Sequence, residues 1–182
     1  MNFNEYRGVV WETDLLTIIN EKDGEWPEIV YPVMGIVGEY AELYQKMVLE
    51  ADPELIKKEA GDLAWYYVSF LNRIGDNAID EWVQPEDVGA DFVWSANMIN
   101  ATIHFGLAAG DSRKLHRDGT DKLREIRQNV IIGMAYTITA VYQYLGEDEF
   151  DWDEIIEMNK KKLFKRKAQN QIKGDGDERE DD

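Results

Sequence analysis

The chain has 182 residues, and 44% hydrophobic content is enough for one compact domain with its own core. The formal net charge of −17 argues against a general binder of nucleic acid or anionic membrane, because a phosphate-rich surface would be repelled. The absence of cysteine excludes disulfides and thiolate metal sites, and two histidines are too few for a histidine metal cage.

Apolar residues recur at helical spacing along nearly the whole chain, and no stretch shows the alternation of a half-buried strand. The sequence therefore predicts an all-α helical bundle. The N-terminal residues show no signal-peptide pattern and no stretch is long enough to span a membrane, so we expect a cytoplasmic protein. Helices are predicted over about residues 4–20, 33–50, 53–74, 88–109 and 121–145, with a last helix from 151.

The chain is predicted to form a single domain over residues 1–173, followed by an acidic tail over 174–182 that is low in apolar residues. The third helix has the clearest limits. Asp52 is a predicted N-cap, Pro53 suits the first turn, and Gly75 stops the helix. Residues 33–75 are then predicted to form a helical hairpin, and residues 76–150, called the insertion below, follow it.

Two pairs of acidic residues lie inside this hairpin. Glu39 with Glu42, and Glu59 with Asp62, are each three residues apart and so share one helix face. The hard oxygen ligands predict a site for Mg²⁺, Mn²⁺ or Ca²⁺. Phosphoryl chemistry is the natural use of such a site, with Mg²⁺ as the expected cofactor and Mn²⁺ possible. The competing interpretation is that these are solvated surface acids, which are common in a chain with 37 of them.

Glycines inside the predicted helices favour the first interpretation. Gly35, Gly38 and Gly61 each cost about 1 kcal/mol relative to alanine in a helix. Such glycines are expected where two helices, or a helix and a ligand, approach closely.

A weak internal repeat relates the insertion to the hairpin, since residues 38–43 can be aligned with residues 110–115. In the second copy the acids Glu42, Glu59 and Asp62 are replaced by Lys114, Val130 and Gly133. Metal chemistry would then belong to the first copy alone. The helices of the insertion are expected to pack against the hairpin with approximate two-fold symmetry, within one chain or between two. Chance similarity of two helical hairpins is the alternative.

The spacing of the four acids, together with the residues around them, resembles the signature of the MazG-like, all-α nucleoside triphosphate pyrophosphohydrolases. A second similar element is Asn-x-x-Lys-Leu-x-x-Arg, which runs from Asn159 to Arg166. The resemblance covers about residues 3–75 and 151–180. The insertion departs from the compact members and is closer to the longer phage-type members or to the dimeric-type dUTPases.

This resemblance implies hydrolysis of a nucleoside triphosphate, with a deoxynucleotide favoured, to the monophosphate and pyrophosphate. It assigns metal binding and catalysis to four acids, which are Glu39, Glu42, Glu59 and Asp62. It assigns substrate contacts to Tyr66, Asn159, Lys162 and Arg166. Trp65 is a further candidate for base stacking, although aromatic residues at helical spacing are mostly core. A basic last turn that offsets the helix dipole is the alternative for the lysine-rich run.

Two further expectations concern partners and the competing class of function. The small-molecule partner is a nucleoside triphosphate, with no nucleic acid or membrane partner. A homodimer is favoured over a monomer, because such a bundle leaves apolar surface exposed. The rival function is a non-catalytic binding or regulatory protein, in which a helical bundle keeps the acids without turnover.

Overall fold

The structure is a computed structural model that describes residues 1–14, 29–76, 82, 93–119 and 121–169. These residues form six helices and no strand, which confirms the all-α prediction. The helices are α1 (Phe3–Thr13), α2 (Val30–Val48), α3 (Pro53–Arg73), α4 (Trp94–Asp118), α5 (Leu123–Leu145) and α6 (Trp152–Ala168). None of the described helices combines the length and the apolar character that crossing a membrane requires.

The limits of the first two helices differ from the predicted ones. Helix α1 ends at Thr13, because Asp14 adopts an extended backbone with φ −77° and ψ 112°. The predicted continuation over residues 15–20 lies outside the described residues. Helix α2 begins at Val30 rather than Val33, since Pro32 lies in the first turn, where its missing N–H needs no partner.

The third helix has the predicted limits, whereas the fourth is longer than predicted. The Asp52 side chain accepts a hydrogen bond of 2.9 Å from the Glu54 amide and caps α3. Helix α4 continues past Gly110 and stops at Gly119, whose φ of 62° is the left-handed conformation that glycine adopts easily. Its predicted start over residues 88–92, and the acidic tail over 174–182, lie outside the described residues.

The helices of the insertion pack against the hairpin formed by α2 and α3. The Tyr40 hydroxyl of α2 donates a hydrogen bond to the carbonyl oxygen of Met98 in α4 and lies 2.8 Å from Thr102 Oγ1. The Tyr40 and Phe105 rings meet at 5.1 Å. Helix α5 pairs with α4 and also contacts α3. The predicted packing is therefore confirmed, while two-fold symmetry stays a prediction.

Helix α3 lies at the centre of the molecule, since α1, α2, α5 and α6 all contact it. Apolar residues at helical spacing along it, from Ile56 to Leu71, are buried. On the α6 side, Lys57 bridges Glu54 at 3.1 Å and Glu154 at 3.0 Å. On the α1 side, Asp14 pairs with Arg73 at 2.7 Å. These contacts fix the position of α3 relative to the helices on either side of it.

The second hairpin, α4 with α5, lacks three of the four acids of the first. Asp111 and Lys114 of α4 pair at 2.9 Å, where the first hairpin has the acids Glu39 and Glu42. Val130 is fully buried, and a side chain at Gly133 would overlap the Phe105 ring. A carboxylate at the position aligned with Asp62 therefore has no room in this hairpin.

Candidate metal centre

Three of the four predicted metal ligands meet between α2 and α3. One carboxylate oxygen from each of Glu39, Glu42 and Glu59 lies within 4.8 Å of the other two. Glu59 is buried, Glu39 is half-buried and Glu42 is exposed. Around one Mg²⁺ ion with ligands about 2.1 Å away, adjacent oxygens are about 3.0 Å apart and only one pair of three can lie opposite at about 4.2 Å, so these oxygens would have to approach each other by up to about 1.8 Å. Carboxylate oxygens are nevertheless the ligands that hard divalent cations prefer. The donor set therefore fits a hard divalent cation.

Asp62 does not join these three carboxylates, and both of its oxygens are held by α6. Asn159 Nδ2 donates a hydrogen bond of 2.7 Å to Asp62 Oδ1, and Lys162 Nζ binds Oδ2. Four oxygens within bridging reach were predicted, and the structure brings together three. The fourth acid is missing because two residues of α6 bind it, and the spacing of acids within the hairpin does not predict these contacts.

The charges of the other three acids nevertheless all act on Glu39. The pKa of Glu39 rises from 4.5 to about 8, first because of burial and then because of the charges of Asp62, Glu42 and Glu59, in that order. Lys162 opposes this rise. Asp62 is the strongest charge acting on Glu39, so its carboxylate lies beside the cluster even though its oxygens are directed to α6. A cation bound here would relieve this repulsion.

The raised pKa of Glu39 leads to a prediction for the metal-free protein. Between about pH 4.5 and 8 the folded state holds a proton on Glu39 that the unfolded state has lost. Stability is therefore expected to fall as pH rises from 6 to 8, by up to about 1 kcal/mol per pH unit. Urea unfolding with a chelator, for wild type and Glu39→Gln, measures this slope. Parallel pH curves for the two proteins would contradict the assignment.

Two neighbouring aromatic residues of α3 have different surroundings. Tyr66 is partly exposed, and its ring lies against Gly35 of α2 and 5.8 Å from the Tyr31 ring. Burial raises its pKa, and the charges of Glu39 and Asp62 add to the shift. Trp65 is buried and donates a hydrogen bond of 2.9 Å to Thr13 Oγ1. Tyr66 therefore borders the carboxylates, whereas Trp65 belongs to the contact between α3 and α1.

The candidate substrate residues of α6 also separate into buried and accessible positions. Asn159 is only 3% exposed, and its Oδ1 accepts a hydrogen bond of 2.6 Å from the Tyr6 hydroxyl. Burial raises the pKa of Tyr6, so this hydroxyl keeps its proton. Lys162 is bound to Asp62, and Arg166 lies one turn further along α6 and is partly exposed. The lysine-rich helix thus borders the carboxylate cluster.

The three helical glycines differ in their surroundings. A Cβ atom at Gly35 would overlap the Tyr66 ring, and one at Gly61 would lie 2.9 Å from the Cβ of Asn159. A Cβ atom at Gly38 would meet nothing within 4 Å. Close approach of helices is therefore confirmed for Gly35 and Gly61. No described helix approaches Gly38, and approach of a ligand there stays a prediction.

The site also contains residues to which sequence analysis gave no role. Lys46 Nζ of α2 lies 3.8 Å from Glu59 Oε1. Lys46 follows Glu42 by four residues, so its spacing would have placed it on the same helix face. Tyr31 has no such local signal, because its contact with Tyr66 depends on how α2 and α3 pack.

Comparison with known proteins gives no family for this chain. No protein-family model matches it, and neither a curated protein nor a solved structure does so. Support for a function therefore comes from the motifs of the sequence and from the geometry of the carboxylate cluster.

Proposed function

We propose that this protein is a Mg²⁺-dependent nucleoside triphosphate pyrophosphohydrolase that acts on the cytoplasmic nucleotide pool. The observation that supports this most directly is the convergence of Glu39, Glu42 and Glu59 from two antiparallel helices. These are positions of the acidic motif that the sequence shares with the MazG-like family. The substrate class is a nucleoside triphosphate, with deoxynucleotides favoured.

The carboxylates have two tasks in this reaction. A bound Mg²⁺ ion supplies charge neutralisation for the phosphates and lowers the pKa of a coordinated water. Glu39, Glu42 and Glu59 would hold the ion. A carboxylate oxygen that is not committed to it would accept the proton of the attacking water.

The basic residues around the cluster provide the contacts that a polyphosphate needs in an acidic chain. Lys162 and Arg166 lie on one face of α6, and Lys46 lies on α2 beside Glu59. A guanidinium can bind phosphate with two hydrogen bonds, and a lysine acts as a point charge. Tyr66, with Tyr31 beside it, offers an aromatic surface for the nucleoside.

The test is a panel of ribonucleoside and deoxynucleoside triphosphates incubated with the protein and Mg²⁺. The expected products are a monophosphate and pyrophosphate, and chromatography separates them from a diphosphate and phosphate. A nucleotide that binds and raises the melting temperature without any turnover would favour the non-catalytic binding protein instead. Neither binding nor turnover with any nucleotide would contradict the proposal.

We also propose that the chain forms a homodimer through the exposed apolar residues of α2 and α4. Met34, Val48, Ile99, Ile103 and Leu107 are each more than half exposed on these adjacent helices. In a chain with net charge −17, two copies repel each other except where both surfaces lack charge. An exposed apolar face of this kind is typical of an interface, and a two-fold dimer would pair it with itself.

Replacing Ile103 with Arg is expected to give a monomer, because a dimer would bury two like charges against each other. Trp11→Arg is the control, since Trp11 is 61% exposed on α1, which packs on α3 and α6 instead. Light scattering after size-exclusion chromatography measures the mass of each variant. A wild type that stays monomeric at high micromolar concentration would refute the proposed dimer.

A further inference from the structure

A chain of hydrogen bonds runs from the core to the edge of the carboxylate cluster. The Tyr6 hydroxyl of α1 donates to Asn159 Oδ1 at 2.6 Å, and Asn159 Nδ2 donates to Asp62 Oδ1 at 2.7 Å. Tyr6 has no exposed surface and Asn159 is 3% exposed. We infer that Tyr6 and Asn159 are positioning residues that set the orientation of the Asp62 carboxylate at the metal centre.

The orientation of the Asn159 amide follows from its two neighbours. An ionised carboxylate only accepts hydrogen bonds, so the amide nitrogen must face Asp62 and the amide oxygen must face Tyr6. The Tyr6 hydroxyl satisfies that oxygen, which would otherwise be a buried acceptor without a partner. Tyr6 therefore stabilises the one amide orientation that lets Asn159 donate to Asp62.

Backbone packing supports the same arrangement. Gly61 precedes Asp62, and a Cβ atom there would lie 2.9 Å from the Cβ of Asn159 and 3.4 Å from the Ile155 carbonyl oxygen. The missing side chain lets α6 approach α3 closely enough for the Asn159 amide to reach Asp62. Lys162 holds the second oxygen of Asp62, so α6 fixes the whole carboxylate.

Asn159 therefore has a positioning role instead of the substrate contact expected from the sequence, and this inference rests on the proposed metal site. Both ends of the Asn159 amide are engaged within the protein and its side chain is buried, so it acts through Asp62 rather than by contacting the nucleotide. Asp62 lies beside the three glutamates rather than among them, so its role is a charge held at the edge of the metal centre. Loss of the partners that orient such a carboxylate is expected to change metal affinity or activity by about 10-fold to 100-fold.

The experiment compares Tyr6→Phe with Tyr67→Phe in direct binding of Mn²⁺, measured by electron paramagnetic resonance without nucleotide. Each substitution deletes one hydroxyl from a buried tyrosine, but that of Tyr67 has no hydrogen-bond partner among the described residues. We expect Tyr6→Phe to weaken Mn²⁺ binding about 10-fold and Tyr67→Phe to bind like wild type. Equal Mn²⁺ affinity of Tyr6→Phe and wild type would overturn the inference.

Asn159→Ala removes the amide that donates to Asp62, and it does so without altering the core of α1. If Tyr6 acts through Asn159, adding Tyr6→Phe to Asn159→Ala should not weaken Mn²⁺ binding further. Additive losses would overturn the inference, because a purely structural role gives independent effects. Failure of the proposed function is distinguishable: wild type would then bind Mn²⁺ with the same dependence on Tyr6 and hydrolyse no nucleotide. Wild type that binds no Mn²⁺ would end both proposals.

Discussion

Glu59→Gln and Asp62→Asn are each expected to reduce nucleotide hydrolysis about 1000-fold or more. The expected loss is several kcal/mol of transition-state stabilisation, the scale of charge stabilisation by a bound metal ion. Glu59 is a buried member of the three-carboxylate group, and Asp62 is the strongest charge acting on Glu39. Release of pyrophosphate at saturating Mg²⁺ and nucleotide measures the effect.

Melting temperatures of the same variants distinguish a loss of metal binding from a loss of folded structure. Mg²⁺ should raise the melting temperature of wild type and fail to raise that of Glu59→Gln, whose metal-free form has less repulsion to relieve. Glu125→Gln is the matched control, because it removes one exposed acid of α5 that pairs with Lys122 at 3.2 Å. It should keep wild-type hydrolysis and the wild-type Mg²⁺ shift. Equal Mg²⁺ stabilisation of all these proteins would rule out the assigned site.

Gly35→Ala is expected to destabilise the protein by about 1–3 kcal/mol, the usual cost of inserting an atom into a packed contact. The added methyl group would overlap the Tyr66 ring, which is flanked by the rings of Tyr31 and Trp65. Tyr66 must move away from α2, so the Michaelis constant for the nucleotide should rise as well. Urea unfolding and steady-state kinetics measure the two effects.

Gly38→Ala is the matched control on the same helix. A Cβ atom at Gly38 meets nothing within 4 Å, so the gain in helix propensity should stabilise the protein by about 1 kcal/mol. Tyr66→Ala should suppress most of the cost of Gly35→Ala, because the overlapping ring is then absent. If Gly35→Ala and Gly38→Ala changed stability by the same amount, the close contact with the Tyr66 ring would not be the reason for a glycine at position 35.

Both hairpins consist of two packed helices, but only the first has a cluster of acids that suits a cation. The ion pair of Asp111 with Lys114, together with the Phe105 ring over Gly133, leaves no acidic cluster in the second hairpin. That hairpin instead supports the first, since Tyr40 hydrogen-bonds across to α4. Among the described residues, each chain thus has one group of acids suited to a cation.

Helical periodicity was enough to predict the class of fold. The limits of α3 could also be predicted, because the N-cap and the residue that stops this helix are local signals. Asp52, Pro53 and Gly75 act on their own neighbours in the chain. Helix ends were less predictable at glycine and proline, because either residue can lie inside a helix as well as at its end. Gly110 lies within α4 rather than ending it, and Pro32 lies inside the first turn of α2 rather than before it.

The sequence by itself determined that Glu39 and Glu42 share a face of α2, and that Glu59 and Asp62 lie one turn apart on α3. Helix geometry fixes such neighbours at three residues, whatever the rest of the chain does. Only the tertiary structure decided that Asp62 turns toward Asn159 and Lys162, about 100 positions away in the chain, rather than toward the three glutamates. The same holds for Trp65, which α1 buries through Thr13. Which side chains meet across helices depends on packing against distant segments, and no local spacing encodes it.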